Sequence, residues 1–263
     1  MARLDPVFAK TRAEGRAALV GYLPAGYPTV DESASRLSAM IDAGCDIVEV
    51  GVPYSDPVMD GPTIQAAADQ ALKGGFRLRD LFRVVETVAS AGGQAVVMTY
   101  WNPVHAYGVD RFARDLAAAG GLGMITPDLV PDEAADWLAA SEEHDLDRIF
   151  LVAPSSTPER LASTAAATTG FLYATAVMGV TGARDQVGIS AAGLVGRARE
   201  YTGELPIAVG LGVRSGAQAA EVAGFADAVV VGSAFVTKAA TEDGVRELAA
   251  ELADGVRRPV VTG

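Results

Sequence analysis

The sequence predicts an α/β fold, a single (β/α)8 TIM barrel with a short extra helix at its N-terminus. The chain has 263 residues, close to the ~250 that one eight-fold β/α barrel typically contains. Short apolar runs alternate with helical patterns along the whole chain, as expected for a parallel sheet of β/α units. Because composition does not shift along residues 1–263, we expect one domain. A doubly wound open sheet is the alternative, but such sheets rarely contain eight consecutive strand–helix units.

The strands are predicted from eight apolar runs that end near glycine or proline. They cover residues 17–23, 47–52, 95–100, 122–126, 148–153, 171–176, 206–210 and 227–231. Helices are predicted at 5–14, 31–43, 63–73, 78–91, 110–119 and 190–201, with others ending near His144, starting at Pro158 and following Ser233. Thr29 or Asp31 is the expected cap of the helix at 31–43. Residues 101–103 and His105 are expected in a loop.

The second predicted strand carries a carboxylate inside an otherwise apolar run. Because side chains alternate between the two faces of a strand, Ile47, Glu49 and Gly51 share one face. The opposite face is all valine and suits contact with the helices, so Glu49 is expected to point into the barrel. A buried carboxylate without a partner is costly in free energy, which makes Glu49 a candidate for chemistry.

A second carboxylate, Asp60, follows this strand across a loop. Gly61-Pro62 then opens the next helix, since proline suits the first helical turn. Glu49 and Asp60 thus bracket one strand-to-loop junction, at the strand end where barrels place their active sites. In the competing interpretation, Glu49 is a core acid with satisfied hydrogen bonds and Asp60 stabilises a helix N-terminus.

The last three strand-to-helix loops are rich in glycine, at residues 179–182, 210–212 and 232–233. Glycine lets backbone N–H groups approach an anion closely, and the loops after strands seven and eight are the usual phosphate site of this fold. These loops predict a phosphate site that includes Gly182, Gly212, Gly232 and Ser233, the last at the start of a short helix. Ordinary turn chemistry is the competing interpretation.

Aromatic side chains fall at or near the ends of three predicted strands. They are Tyr22, Tyr100, Trp101 and Tyr173. Such rings suit a pocket for a flat aromatic group, although packing at the rim of a barrel requires the same residues.

Composition argues against several classes of protein. The formal net charge of −12 disfavours nucleic acid or an anionic membrane as the main partner. No signal-peptide core and no apolar run of the ~18 residues needed to span a bilayer are present. The single cysteine, Cys45, excludes an intramolecular disulfide and fits a cytoplasmic location. His105 and His144 lack the spacing of metal ligands, so no metal site is predicted.

The run from Glu49 to Gln65, EVGVPYSDPVMDGPTIQ, resembles the signature of the tryptophan synthase alpha subunit. Further matching segments follow in the expected order, at residues 24–28, 98–103, 127–128, 152–154, 179–182, 209–213 and 231–233. The resemblance implies a carbon–carbon lyase of tryptophan biosynthesis. Its reaction is the retro-aldol cleavage of indole-3-glycerol phosphate to indole and glyceraldehyde 3-phosphate.

The resemblance also implies roles for individual residues. Glu49 matches the acid/base that protonates indole C3, and Asp60 matches the carboxylate that holds the indole N–H and stabilises positive charge on the ring. The implied substrate contacts are Tyr173 near the glycerol phosphate, Thr181 on a loop that closes beside Asp60, and the phosphate contacts Gly182, Gly212 and Ser233. Family members pair with a pyridoxal-phosphate beta subunit in an α2β2 complex and pass indole through a tunnel. The alpha chain itself needs no cofactor.

Two carboxylates in different environments suit this chemistry. Glu49, among apolar neighbours, is expected to be neutral, and Asp60, nearer to water, is expected to be ionised. The sequence departs from the family at Met59, commonly alanine, and at residues 176–178, where many members carry serine and arginine. These departures lie in or beside the loops 53–60 and 177–184, which are expected to order on binding substrate and partner. An independent indole-releasing lyase and a non-catalytic phosphate-binding barrel are the alternatives.

Overall fold

A closed parallel barrel forms the centre of the molecule. The computed structural model describes residues 2–176, 184–210 and 212–258, without the side chains of 184–190. The strands are β1 Ala18–Pro24, β2 Ile47–Gly51, β3 Ala95–Met98, β4 Gly123–Ile125, β5 Asp147–Ile149, β6 Leu151–Val152, β7 Leu172–Thr175, β8 Ile207–Gly210 and β9 Ala228–Val231. They are hydrogen-bonded in the order β5-β4-β3-β2-β1-β9-β8-β7-β6.

The two ends of this sheet belong to one continuous strand. Only Phe150 separates β5 from β6, and β5 pairs with β4 while β6 pairs with β7. The Tyr173 N–H also donates to the Phe150 carbonyl at 3.0 Å. Nine strand segments therefore make eight barrel strands, and the predicted (β/α)8 barrel is confirmed.

Helices pack around the strands, the first of them across one end of the barrel. They are α1 Asp5–Ala13, α2 Val30–Asp42, α3 Pro62–Lys73, α4 Leu78–Ser90, α5 Trp101–Tyr107, α6 Val109–Ala118, α7 Ala135–Glu143, α8 Pro158–Ala167, α9 Arg184–Thr202, α10 Gly216–Ala223, α11 Ser233–Lys238 and α12 Glu242–Val256, with a 3-10 turn at Pro131–Glu133. Thr29 caps α2 by accepting a hydrogen bond from the Glu32 N–H. Across the part of the chain described, no helix has both the length and the apolar character needed to cross a membrane.

The structure corrects the sequence prediction around residues 99–108. The third strand ends at Met98 rather than at residue 100, and residues 101–107 form α5, so His105 lies in a helix and not in a loop. Pro103 falls in the first turn, where proline is tolerated, and Gly108 ends the helix. The Trp101 N–H donates to Asp128 Oδ1 at 2.9 Å. This acceptor comes from the loop after β4, so no local pattern predicts it.

Apolar side chains form an outer layer between strands and helices and an interior layer inside the barrel. The interior layer contains Leu4 and Phe8, which come from α1 or just before it. The Leu4 N–H donates to Asp147 Oδ2 at 2.8 Å, and the Phe8 and Phe171 rings lie 5.9 Å apart. Because Asp147 and Phe171 lie where their strands begin, the extra helix covers the N-terminal end of the barrel. The C-terminal end remains for a site.

Candidate active site

Glu49 lies on β2 with its side chain inside the barrel, as strand alternation predicts. Ile47 belongs to the interior layer, whereas Val48 and Val50 pack in the outer layer. Glu49 is only 1% exposed, and its Oε1 atom has no hydrogen-bond partner among the described residues. Burial raises the pKa of Glu49 to about 8. The carboxyl group therefore keeps its proton at pH 7 and is able to donate it.

Asp60 ends the loop between β2 and α3 and is half-buried. The Tyr100 hydroxyl donates to Asp60 Oδ2 at 3.3 Å, and the Gln65 side-chain amide donates to the Asp60 backbone oxygen at 2.7 Å. Burial raises the pKa of Asp60, and the hydrogen bond from Tyr100 opposes that shift. Asp60 is nearer to water than Glu49, as predicted, but its carboxylate is less solvated than that of an exposed loop residue.

Tyr22 and Tyr173 extend inward from β1 and β7, and each leans over a glycine of the neighbouring strand. A Cβ atom added to Gly51 would collide with the Tyr22 hydroxyl, and one added to Gly210 would lie 2.6 Å from the Tyr173 hydroxyl. Glycine at these two positions therefore gives each ring room to cross the next strand. Burial raises the pKa of both phenols well above the usual value, and negative charge from both candidate carboxylates adds to the shift.

These contacts and charges define one group at the C-terminal end of the barrel, which we call the mouth cluster: Tyr22, Glu49, Asp60, Tyr100 and Tyr173. Burial raises the pKa of Tyr100 to about 12, so its hydroxyl remains a hydrogen-bond donor. Trp101 lies outside the cluster, half-buried at the start of α5 and packed against the outer layer. The mouth cluster combines a neutral carboxylic acid, a second carboxylate and three phenols.

Three of the predicted phosphate contacts follow neighbouring strands. Gly212 comes after β8 and has a φ of +70°, in the left-handed region. Gly232 follows β9, and a Cβ there would lie 3.5 Å from the Tyr22 ring. Ser233 begins α11, where no side chain of the described residues caps the helix, so the first backbone N–H groups lack a side-chain acceptor within that part of the chain. Gly232 and Ser233 are thus next to the mouth cluster.

Two other predicted site residues, Thr181 and Gly182, belong to segment 177–183, which lies outside the described residues. Their predicted roles as substrate contacts stay predictions.

The contact between Asn102 and Tyr54 at the mouth was not predicted. Asn102 Nδ2 donates to the Tyr54 hydroxyl at 3.2 Å. Asn102 follows β3 and Tyr54 follows β2, and the sequence gives no rule for pairing side chains from different loops. The only signal was that both are polar residues near a strand end.

A second unpredicted group lies between α6 and α7. Asp110, Glu143 and His144 each place one potential metal ligand within 4.8 Å of the others. His144 Nε2 lies 2.9 Å from Asp110 Oδ1, so the end of α7 is bonded to the start of α6. None of the three belongs to the mouth cluster, and we interpret the group as a link between the two helices.

Comparison with known proteins identifies the family. The model of the tryptophan synthase alpha chain matches residues 8–258. The chain belongs to the tryptophan synthase alpha chain family. The alpha chain of Nocardia farcinica is 64% identical over 260 residues, covering 98% of this chain and 97% of the relative. The alpha chain of Mycobacterium tuberculosis is 65% identical over 257 residues, covering 97% and 94%.

Solved structures of related proteins share the barrel. A crystal structure of tryptophan synthase from M. tuberculosis matches with a TM-score of 0.92 at 60% identity, covering 98% of this chain and 99% of that one. A protein from Aquifex aeolicus matches with a TM-score of 0.88 at 35% identity, covering 97% and 99%. The alpha chain of tryptophan synthase is a lyase that cleaves indole-3-glycerol phosphate and works with a beta chain.

Proposed function

We propose that Glu49 and Asp60 carry out the retro-aldol cleavage of indole-3-glycerol phosphate in this alpha chain. The observation that carries the proposal is Glu49 itself, which is buried, without a partner for Oε1 among the described residues, and protonated at pH 7 because its pKa is about 8. A neutral acid inside an apolar barrel is suited to delivering a proton to carbon.

The proposed reaction consists of one proton transfer from Glu49, the cleavage of one carbon–carbon bond, and one proton transfer back to Glu49. Glu49 donates its proton to indole C3, and positive charge develops at the ring nitrogen. The bond between C3 and the glycerol carbon then breaks, its electron pair neutralises the ring, and the hydroxyl proton on that carbon returns to Glu49. The products are indole and glyceraldehyde 3-phosphate, and Glu49 ends in its starting state.

Asp60 is proposed to bind the indole N–H and to stabilise the positive charge. Its half-buried position supports this role, because a carboxylate interacts more strongly with a nearby charge when water is partly excluded. The Tyr100 hydroxyl holds one carboxylate oxygen at 3.3 Å. Tyr22, Tyr100 and Tyr173 are proposed to line the pocket that receives the substrate.

Phosphate is proposed to bind near Gly212, Gly232 and Ser233, together with Gly182 and Thr181 of the loop beyond the described residues. The support is the left-handed glycine after β8 and the start of α11 after β9, which no described side chain caps. Backbone N–H groups in such positions bind anions.

The beta chain is proposed to cover the same end of the barrel, in an α2β2 complex. Among the described residues, the large apolar side chains that are most exposed include Val58, Met59 and Val130. All three belong to loops that follow strand ends at the mouth, and an exposed apolar patch there suits a protein partner. The proposed step uses proton transfer and charge stabilisation only, so we expect no cofactor on this chain. The family resemblance leads us to expect pyridoxal phosphate in the beta chain, and the single cysteine fits a cytoplasmic location.

The test measures single-turnover indole formation from indole-3-glycerol phosphate, with and without the beta chain. Glu49→Gln retains size and hydrogen bonding but has no carboxylic proton. We expect it to fold, to bind glycerol phosphate normally and to lose about 10²–10⁴-fold in rate, the usual contribution of general acid–base catalysis. Circular dichroism controls for folding. Near-normal turnover by a folded Glu49→Gln variant would move the acid to another strand end.

A further inference from the structure

The loop that carries Asp60 is tied to the neighbouring β/α unit by a bond that the proposed mechanism does not use. Tyr54, near the start of the loop, accepts a hydrogen bond from Asn102 Nδ2 at 3.2 Å. Asn102 belongs to α5, which follows β3, whereas Tyr54 follows β2. Among the described residues, Asn102 is the one partner of the Tyr54 hydroxyl.

The Tyr54 ring packs against the Tyr100 ring, and Tyr100 contacts the end of the loop. The two ring centroids are 5.2 Å apart and the ring planes are inclined by 31°. The Tyr100 hydroxyl accepts a hydrogen bond from the Met59 N–H at 2.9 Å and donates one to Asp60 Oδ2 at 3.3 Å. Tyr100 is buried, Tyr54 is half-buried, and their rings are in contact. A shift of the Tyr54 ring therefore displaces the phenol that donates to the Asp60 carboxylate.

The other end of this arrangement is fixed. The Trp101 N–H, at the start of α5, donates to both carboxylate oxygens of Asp128, at 2.9 and 3.1 Å. Asn102 is the next residue of the same helical turn, so the backbone that carries its side-chain amide is held by this contact. The contacts run without interruption from Asp128 through α5 and Tyr54 to the carboxylate of Asp60.

We propose that Tyr54 and Asn102 are positioning residues for Asp60: their hydrogen bond holds the Tyr54 ring against Tyr100, and Tyr100 holds the carboxylate in place for the indole N–H. This inference rests on the role proposed above for Asp60. Neither residue touches the reacting atoms. Their contribution is to keep the Asp60 carboxylate in one geometry, which is what charge stabilisation in a transition state requires.

The test uses Tyr54→Phe, Asn102→Ala and the double variant in the full chain with saturating beta chain. Single-turnover indole formation over a range of substrate concentrations gives the maximal rate and the half-saturating concentration separately. We expect Tyr54→Phe to lower the rate about three- to ten-fold, the range that one ordinary hydrogen bond supports, and to change half-saturation less than about two-fold. Asn102→Ala should have the same effect, and the double variant no more, because both changes remove one bond.

The same changes in an Asp60→Asn background decide whether the effect passes through Asp60. If it does, Tyr54→Phe causes no further loss there. Tyr107→Phe is the matched control, because it also removes the hydroxyl of a half-buried tyrosine, one that lies on α5 and donates to Asp115 at 2.6 Å. Tyr107 does not touch the mouth cluster, so this variant should retain the wild-type rate.

Three outcomes overturn the proposal. Normal rates for Tyr54→Phe and Asn102→Ala, beside a large loss for Asp60→Asn, remove the positioning role and leave the proposed role of Asp60 intact. If Tyr54→Phe lowers the rate by the same factor in the wild-type chain and in Asp60→Asn, its effect is structural and independent of Asp60. A normal rate for Asp60→Asn overturns the proposed function of that residue, and the positioning role with it.

Discussion

Glu49 and Asp147 are buried acids on strands of the same barrel, and they differ in what surrounds the carboxylate. Glu49 is 1% exposed and Asp147 is 2% exposed. Asp147, at the N-terminal end, accepts a hydrogen bond from the Leu4 N–H at 2.8 Å. Burial raises the pKa of both acids. Hydrogen bonds oppose the shift at Asp147, whereas at Glu49 no described residue opposes it.

The same contrast extends to the other acids at the N-terminal end. Asp46 accepts from the Leu19 N–H at 2.9 Å, and Asp227 accepts from the Ile207 N–H at 2.7 Å. These two acids link neighbouring strands, because their carboxylate oxygens accept hydrogen bonds from backbone N–H groups of the barrel. A buried carboxyl group that the fold leaves without such a partner is available to a substrate, and this difference separates a structural acid from a catalytic candidate.

The largest expected difference between the two ends is in the pH dependence of stability. The pKa of Glu49 is about 8 in the folded chain and ~4.3 in an unfolded one, so folding favours the protonated form. That stabilisation is complete below pH ~4 and is lost as the pH rises toward 8. Glu49→Gln does not ionise, so between pH 4 and 9 its free energy of unfolding should rise by roughly 3–5 kcal/mol relative to wild type. Urea unfolding across this range measures the difference, and a constant difference would contradict a neutral Glu49.

A smaller effect is expected at Asp147. Asp147→Ala leaves the Leu4 N–H without its acceptor, which should lower the free energy of unfolding by about 1–3 kcal/mol. The rate of indole formation by the folded variant should stay within about two-fold of wild type. Urea unfolding at pH 7 and the indole assay measure the two quantities. Asp147→Asn, which retains an acceptor oxygen, should lose less stability, and a large loss of rate in either variant would show that the N-terminal end serves the chemistry as well.

The smallest effect distinguishes two exposed glycines with similar backbone geometry. Gly212 at the mouth has a φ of +70°, and Gly15 at the N-terminal end has a φ of +65°. Alanine at either position should cost roughly 1–2 kcal/mol, because a Cβ disfavours the left-handed region. Only Gly212→Ala is expected to raise KM for indole-3-glycerol phosphate, several-fold, by crowding the proposed phosphate site. Equal KM values for the two variants would place the phosphate elsewhere.

Several features of the fold could be predicted because their causes are local. The apolar runs of the strands are bounded by glycine and proline, and Thr29 caps α2 through its own helix turn. Strand alternation predicts that Glu49 points inward, since that depends only on positions two residues apart. Helix α5 was missed because its N-terminus is satisfied by Asp128, 27 residues away in the chain.

The sequence by itself determined the barrel class, the two candidate carboxylates, the family and the positions of the glycines in the last loops. Each of these depends on the spacing of residues along the chain or on a contiguous motif. Only the tertiary structure decided how the side chains of the mouth meet. Loops from different β/α units converge at one end of the barrel, and two hydrogen bonds depend on that convergence, Tyr100–Asp60 and Asn102–Tyr54. The same convergence leaves Glu49 Oε1 without a partner among the described residues. That convergence follows from closure of the sheet at Phe150, where β4 and β7 bond to two halves of a single strand.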